Sequence, residues 1–225
     1  MELSVEQLAG MIDHTLLKPF ICNEDLERHC KMAIKYHFKT VAVNNAVLPF
    51  CRKIVAGTSV VCDAAVSFPL GQSTLETKLF ETEDAIIKGA KEIDYVINLV
   101  EVKNANWRFI EKEMDKIVSI CRKNRVVTKV IFENCYLTEQ EKRMLCQIAA
   151  DIRPDFIKTS TGFGSGGATF KDVMMMKKCV GNHVKVKAAG GIRDVQTALA
   201  MIEAGAERIG TSCGVEIIQN YKLSK

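Results

Sequence analysis

With 225 residues, 48% of them hydrophobic and 26% charged, the chain has the composition of a folded globular protein, long enough for one large domain or two small ones. The net charge is +4 and the lysines are scattered, which argues against a nucleic-acid partner and is compatible with a small anionic ligand. The segment MELSVEQLAG lacks a signal-peptide pattern and no apolar run reaches the roughly 18 residues of a membrane helix, so we expect a cytoplasmic protein without membrane contact.

Short β-branched runs alternate with longer segments of helical periodicity. A leading helix is predicted after Ser4, which forms a capping-box pattern with Gln7. The predicted strands cover residues 12–16, 40–43, 60–66, 95–99, 128–132, 156–159, 184–188 and 208–210. The predicted helices cover 24–37, 74–88, 104–123, 138–150, 169–180 and 194–204, each behind a polar cap, and a short helix follows the last strand.

These segments form eight β-then-α units of about 25–30 residues, an order that implies parallel strands joined by crossover helices. Eight such units close most naturally into a (β/α)8 TIM barrel. We therefore predict an α/β protein with one barrel domain over residues 1–225 and a short N-terminal leading helix. An open, doubly wound parallel sheet is the competing architecture.

Two lysines interrupt apolar strands. Lys158 lies in FIKTS and Lys187 in VKVKAAGG, and the alternation of side chains along a strand directs both into the barrel. Both are predicted at the carboxyl ends of neighbouring strands, the sixth and the seventh, and barrel enzymes carry their chemistry at that end. Burial and a second nearby cation each lower the pKa of a lysine, and a neutral lysine can attack a carbonyl to form a Schiff base. A structural ion pair, or a side chain that reaches solvent, is the alternative for either lysine.

Carboxylates are available to these lysines. Asp94, in EIDYVINL, is placed to orient Lys187 or to exchange protons with it, unless it is simply the first polar residue of a buried strand. Asp13, in IDHTLLKP, is a second candidate on the first strand. Its neighbour His14 is predicted to be a hydrogen-bonded core residue.

Glycines follow the sixth strand at Gly162, Gly164 and Gly167, in a G-x-G-x-x-G spacing. A dinucleotide site is rejected because no acidic residue follows about 20 positions later, and the Walker pattern is absent.

A phosphate site explains the glycines better, because barrels often hold phosphate in the loops after strands seven and eight. Glycines let the backbone approach an anion, and the N–H groups at a helix N-terminus point at it. Tight-turn geometry alone is the alternative. The predicted ligands in these two loops are Gly190, Gly191, Arg193, Gly210 and Ser212.

The nine cysteines are widely spaced and form no Cys-x-x-Cys pair, which removes the usual zinc and redox signatures. We predict free or buried thiols, and no metal or cofactor.

Seven regions of the sequence resemble the deoxyribose-phosphate aldolases, a family of class I aldolases. They run in consistent order from residue 12 to about residue 214, and KTSTGFG together with VKAAGGIR is the most specific combination. The regions are IDHTLLKP, SFPLG with ETEDAI, KEIDYVIN, KVIFENCYLT, FIKTSTGFGSGGAT, VKAAGGIR and RIGTS.

The resemblance implies a (β/α)8 barrel that reversibly cleaves 2-deoxy-D-ribose 5-phosphate to acetaldehyde and D-glyceraldehyde 3-phosphate, without a cofactor. It makes Lys158 the Schiff-base nucleophile, Lys187 the lysine that perturbs it and joins a proton relay, and Asp94 their partner. The phosphate is assigned to Gly162, the Gly-Gly-Ile-Arg loop and the final Gly-Thr-Ser loop. Asp13 and Thr159 complete the predicted substrate-binding set.

Three stretches depart from the family pattern: Ala42-Val43-Asn44-Asn45 on strand two, Ser67 in place of a glycine, and Cys213 after Ser212. None removes a predicted catalytic residue. A barrel that kept its phosphate site as a non-catalytic regulator, and a Schiff-base aldolase for another phosphorylated sugar, are the alternatives. A homodimer is compatible with the sequence.

Overall fold

The computed structural model describes residues 3–224, in which eight parallel strands close into a barrel in the order β1 to β8. Each strand pairs with the next, and β8 pairs with β1. The predicted barrel is confirmed, and the open-sheet alternative is wrong. The predicted domain limits, 1–225, include residues 1, 2 and 225, which lie outside the described residues. The strands are β1 (Ile12–Leu16), β2 (Thr40–Asn44), β3 (Val61–Val66), β4 (Glu92–Val96), β5 (Val127–Ile131), β6 (Phe156–Lys158), β7 (Lys185–Ala189) and β8 (Arg208–Thr211).

The helices surround the barrel. The leading helix is present, and its capping box joins the backbone N–H of Ser4 to Oε1 of Gln7 at 2.7 Å and the N–H of Gln7 to Oγ of Ser4 at 3.1 Å. The helices are α1 (Val5–Ala9), α2 (Asn23–Lys35), α3 (Leu48–Val55), α4 (Leu75–Lys88), α5 (Leu99–Lys103), α6 (Trp107–Lys123), α7 (Glu139–Ile152), α8 (Phe170–Val180), α9 (Val195–Glu203) and α10 (Gly214–Leu223). The prediction missed α3 and α5, and it began the helix corresponding to α6 at residue 104, three residues before Trp107. Between residues 3 and 224, no helix is both long and apolar enough to cross a membrane.

The fourth strand lies three residues earlier than predicted. The apolar run at 95–99 suggested its position, but the strand begins at the charged Glu92 and ends at Val96. Its polar residues are buried because they pair with other charges inside the barrel. Asn98 instead caps α5, since its side chain accepts the N–H groups of Val100 and Glu101.

The apolar core lies between the strands and the helices, whereas the barrel interior is ionic. Outward-facing strand residues such as Val41, Ile93, Ile157 and Val186 are completely buried under the helices. This arrangement reverses the usual filling of a barrel by branched apolar side chains.

A second buried ion pair lies outside the barrel. Nζ of Lys78 on α4 is 2.7 Å from Oε1 of Glu113 on α6, and neither side chain is exposed. Lys78 also donates to the carbonyl of Val96 at 2.8 Å, and Glu113 accepts the N–H of Asn98 at 3.1 Å. The pair therefore fastens the carboxyl end of β4 to the helix layer.

Candidate active site

Eight charged side chains of the described chain pack together inside the barrel, and we call them the luminal cluster. Each comes from a strand, so the alternation of the sheet places its side chain in the interior. Four are acidic and four are basic. The members are Asp13, Asp63, Glu92, Asp94, Lys129, Lys158, Lys187 and Arg208.

Asp94 lies at the centre of the three predicted catalytic residues. Its Oδ2 accepts from Nζ of Lys158 at 2.6 Å and from Nζ of Lys187 at 2.6 Å, while Oδ1 accepts from Lys129 at 2.8 Å. Lys158 and Lys187 are register partners on β6 and β7. The structure thus brings Lys158, Lys187 and Asp94 into direct contact.

The environment of Lys158 favours a neutral amine. Burial is the largest effect and lowers its pKa, Lys187 lowers it further, and the carboxylate of Asp94 opposes both without reversing the direction. Desolvation therefore matters more than the repulsion between the two lysines. Its side chain is 6% exposed and lines the cavity described below. The amine of Lys158 is within reach of a small molecule yet largely shielded from water.

Lys187 is shifted in the opposite direction. Burial alone would lower its pKa, but Asp13 and Asp94, each with an oxygen 2.6 Å away, together with Asp63 at 3.2 Å, raise the pKa above its ordinary value. Lys187 is therefore an ammonium at neutral pH, and Asp94 is a carboxylate, because its contacts with lysines outweigh burial and lower its pKa. A pair of lysines whose pKa values are pushed apart provides a nucleophile and a proton donor in one site.

Four members of the luminal cluster were not predicted as site residues: Asp63, Glu92, Lys129 and Arg208. Lys129 contacts Glu92 at 2.7 Å and Asp63 at 2.8 Å, and Arg208 donates to Asp13 at 2.7 Å and to Glu92 at 2.8 Å. For Asp63, Lys129 and Arg208 the signal was present in the sequence, because each is a charged residue within a short predicted strand, as Lys158 is. Glu92 lay outside the predicted fourth strand.

The same acids offer a geometry that could hold a metal. Carboxylate oxygens of Asp13, Asp63 and Glu92 lie within 4.8 Å of one another. The ammonium of Lys129 already lies among them, at 2.7 Å from Glu92, 2.8 Å from Asp63 and 3.9 Å from Asp13. The protein therefore supplies its own cation at this position.

A cavity of about 330 Å³ opens at the carboxyl ends of the strands, with Lys158 in its wall. The loops after β6, β7 and β8 form much of the rest, together with residues 15–18 at the end of β1 and just after it, none of which was predicted as a site residue. All six predicted phosphate-loop residues line this cavity: Gly162, Gly190, Gly191, Arg193, Gly210 and Ser212.

Two predicted substrate contacts lie elsewhere. Asp13 belongs to the luminal cluster, where its carboxylate accepts from Arg208 and, at 2.9 Å, from the hydroxyl of Thr40. Thr159 faces away from the cavity, and its hydroxyl bonds both the carbonyl and the N–H of Ala189 at 3.1 Å. The structure therefore gives Asp13 an electrostatic position and gives Thr159 a position between β6 and β7.

The glycines allow two loops to touch. A Cβ at Gly167 would lie 2.2 Å from the carbonyl oxygen of Gly190, and Gly190 itself has φ +86°. At Gly210 a Cβ would lie 3.1 Å from Cε of Lys187 and 2.9 Å from Cβ of Ala189. Any larger residue at Gly167 or Gly210 would displace the neighbouring loop or Lys187.

Glu133 supports the loop after β6 from behind. This buried residue has φ +56°, and its carboxylate accepts the N–H of Thr161 at 3.2 Å and also the hydroxyl of Thr161. Gly164 leaves room for that carboxylate, because a Cβ there would approach it to 3.2 Å. Burial raises the pKa of Glu133. Glu133 was not predicted as a site residue.

Two aromatic rings lie beside Lys158. The ring of Phe68 is centred 5.7 Å from Nζ of Lys158 and packs edge-on against Phe163 at 5.7 Å. The adjacent Ser67, the position where the family usually has glycine, adopts φ +51° and donates its N–H to Glu81 at 2.7 Å. Phe163 also lines the cavity, so the two rings give it an apolar surface beside the amine.

Together these features suit carbonyl chemistry on a small phosphorylated molecule. A buried amine with a lowered pKa can add to a carbonyl, and an adjacent ammonium and carboxylate can move protons. Glycine-rich loops at two strand ends can bind an anion.

Comparison with known proteins agrees with this chemistry. The family model of the DeoC/LacD family aldolases matches residues 7–220. A deoxyribose-phosphate aldolase of Bacteroides thetaiotaomicron is 53% identical, over 99% of this chain and 94% of that relative. One from Lactobacillus acidophilus is 51% identical, over 99% of this chain and 94% of that relative. The solved structure of a tetrameric deoxyribose phosphate aldolase from Aeropyrum pernix has a TM-score of 0.91 at 30% identity, covering 99% of this chain and 94% of that one.

A family model that spans almost the whole chain, and relatives about half identical over nearly their full length, lead to one conclusion: the chain belongs to the DeoC/LacD family of aldolases.

Proposed function

We propose that the protein is a class I aldolase that reversibly cleaves 2-deoxy-D-ribose 5-phosphate to D-glyceraldehyde 3-phosphate and acetaldehyde through a Schiff base on Lys158. The observation that carries the proposal is the position of this amine. It lies at the edge of a cavity with glycine-rich loops, its pKa is lowered, and it touches Asp94 at 2.6 Å. The names of the relatives support the choice of substrate.

In the synthetic direction the neutral amine of Lys158 adds to the carbonyl carbon of acetaldehyde. The ammonium of Lys187 supplies the proton with which the hydroxyl of the carbinolamine leaves as water, and an iminium forms. The cationic nitrogen acidifies the methyl C–H, so that loss of a proton gives an enamine. The enamine carbon attacks the aldehyde carbon of glyceraldehyde phosphate, and hydrolysis of the new iminium releases the sugar phosphate.

The loops hold the phosphate away from the amine. Gly190, Gly191 and Gly162 offer backbone at the cavity wall, Ser212 offers a hydroxyl, and Arg193 offers a guanidinium. Backbone N–H groups and an arginine together are a common anion site. Asp13 acts on the substrate through Lys187, while Thr159 acts by fixing the two strands that carry the lysines.

Reductive trapping of the Schiff base tests this proposal. Incubation with acetaldehyde and borohydride is expected to add an ethyl group to Lys158, located by mass spectrometry of peptides. Lys158→Ala is expected to lose both the adduct and the release of aldehyde from deoxyribose 5-phosphate. Lys185→Ala, which removes an exposed lysine of β7, is expected to keep both. A wild-type protein without an adduct at Lys158 would contradict the proposal and favour a non-catalytic regulator.

Rates on ribose 5-phosphate and fructose bisphosphate distinguish an aldolase for another sugar. If either substrate were cleaved faster than deoxyribose 5-phosphate, the Schiff-base mechanism would stand and the proposed substrate would be wrong.

For location and assembly, we propose a cytoplasmic enzyme that forms a homodimer. Phe80 and Ile87, two turns apart on α4, are 72% and 80% exposed, and exposed apolar side chains on one face favour association. Sedimentation equilibrium measures the assembly, and a monomer at micromolar concentration would contradict it.

A further inference from the structure

The luminal cluster has a charge balance that the proposed function disturbs. The charges of its four carboxylates and four basic groups sum to zero only when Lys158 is an ammonium. A nucleophilic Lys158 is neutral and leaves one net negative charge inside the barrel. An unbalanced charge in a buried site is costly, so a proton on one of the carboxylates would restore neutrality.

The contacts within the cluster identify which carboxylate this is. Both oxygens of Asp94 are engaged by lysines at 2.6–2.8 Å. Asp13 is engaged by Arg208 at 2.7 Å and by Lys187 at 2.6 Å, and Glu92 by Lys129 at 2.7 Å and by Arg208 at 2.8 Å.

Asp63 on β3 is the carboxylate whose negative charge is least balanced by nearby cations. Its Oδ2 lies 2.8 Å from Lys129 and 3.2 Å from Lys187, while its Oδ1 is buried and has no hydrogen-bond partner among residues 3–224. Burial and then Asp94 raise the pKa of Asp63 to about 6, against the opposing effect of Lys129 and Lys187. The pKa values of Asp13 and Asp94 are instead lowered.

We propose, on the basis of the proposed function, that Asp63 takes the proton that Lys158 loses and returns it when the iminium forms. The two side chains are joined through a short path: Asp63 to Lys187 at 3.2 Å, Lys187 to Asp94 at 2.6 Å, and Asp94 to Lys158 at 2.6 Å. Asp63 acts through this path and touches no substrate, so it is a positioning residue that determines where a proton resides.

The step balances. The lone pair of the Lys158 amine forms a bond to the carbonyl carbon of acetaldehyde, and the carbon–oxygen bond then breaks as the nitrogen donates its electrons. Lys187 gives a proton to the departing hydroxyl and recovers one from Asp63. Amine, carboxylic acid and aldehyde become iminium, carboxylate and water, with no net charge created and no proton taken from solvent.

The groups that face Asp63 belong to the cluster itself. A change in its protonation is therefore felt by ions on five other strands, and also by the adjacent thiol of Cys62, whose pKa is raised by burial and further by the charge of Asp63. The ions are Asp13 on β1, Glu92 and Asp94 on β4, Lys129 on β5, Lys158 on β6 and Lys187 on β7.

The pH dependence of the acetaldehyde iminium tests this proposal. Wild type is expected to form it with an apparent dissociation constant that changes by no more than about twofold between roughly pH 5 and 6, because Asp63 still holds the proton in this range and the transfer is internal. In Asp63→Asn the iminium must take its proton from solvent. Its dissociation constant is then expected to rise about tenfold per pH unit.

Glu113→Gln is the matched control, since Glu113 is an equally buried carboxylate paired with a lysine outside the barrel. It is expected to keep the flat pH dependence. A tenfold dependence already present in wild type, or a flat profile in Asp63→Asn, would overturn the proposal.

Infrared difference spectra of wild type provide a readout that needs no variant. With ¹³C-labelled aspartate, iminium formation is expected to remove the band of one protonated aspartate carboxyl. The absence of such a change would also overturn the proposal. The borohydride adduct on wild-type Lys158 reports on the proposed function separately, so an adduct without the carboxyl change refutes only the role of Asp63.

Discussion

Gly167→Ala tests whether the contact between two loops builds the phosphate site. The added Cβ would lie 2.2 Å from the oxygen and 2.4 Å from the carbon of the Gly190 carbonyl. Both are about 1 Å short of van der Waals contact, and both are backbone atoms, which no side-chain rotation can move aside. The loops after β6 and β7 must therefore separate by about 1 Å, at a cost of about 1–3 kcal/mol.

That separation moves Gly190 and Gly162 relative to a bound phosphate. Loss of one hydrogen bond to a charged group costs about 1.5–3 kcal/mol, which corresponds to about a 10- to 150-fold fall in kcat/KM for deoxyribose 5-phosphate. Acetaldehyde has no phosphate, so the rate of iminium trapping is expected to stay within about twofold of wild type.

Gly181→Ala is the control for this substitution. Gly181 also has positive φ, +61°, but at the end of α8 a Cβ would meet no described atom within 4 Å. It is expected to lower stability slightly and to leave both reactions unchanged. Equal losses of sugar cleavage and of iminium trapping in Gly167→Ala would show that the loops do not act through phosphate.

Two further predictions concern buried groups outside the luminal cluster. Glu133→Gln weakens the hydrogen bonds that hold Thr161, and the KM for deoxyribose 5-phosphate is expected to rise about tenfold. A fall in kcat with unchanged KM would contradict this positioning role. The stacked rings of His14 and His29, 3.9 Å apart, have pKa values that burial lowers to about 3 and about 4. Because the unfolded histidines protonate near pH 6.5 and the folded ones do not, stability is complete above that pH and is lost as the pH falls through 6.5 towards 4. Each ring is expected to remove about 2 kcal/mol from the unfolding free energy between pH 7 and pH 5, measured by urea titration. His14→Phe keeps a stacked ring and should recover about half of this loss, whereas an unchanged pH dependence would refute the assignment.

The strand order, and the side of the strands on which the two lysine side chains lie, could be predicted because both follow from local rules. A period of two fixes which side of a strand Lys158 and Lys187 occupy, and eight successive strand–helix units leave few closed arrangements. The glycines that we propose bind phosphate could be placed at the cavity from the sequence alone, since Gly190 directly follows β7 and Gly210 lies near the end of β8, and both strands end at the same face.

The features that could not be predicted depend on interactions with residues that are distant in the sequence, which a local pattern does not contain. The start of β4 at Glu92 was missed because a charge inside a strand is stable only when Lys129 and Arg208 surround it. The direction of the Lys187 pKa shift depends on three carboxylates from three other strands. The role of Glu133 could not be predicted because its hydrogen bonds to Thr161 require a left-handed backbone at Glu133 and join it to a loop 28 residues away.

The ionic filling of the barrel also limits how the protein can be made more robust. Replacing buried ion networks by well-packed hydrocarbon often strengthens a fold by about 1–4 kcal/mol. Here such repacking would remove the groups that we propose hold and transfer protons. Substitutions that raise the thermal stability are therefore confined to the surrounding helices and loops. The barrel interior keeps a less stable ionic packing because its reactivity depends on it.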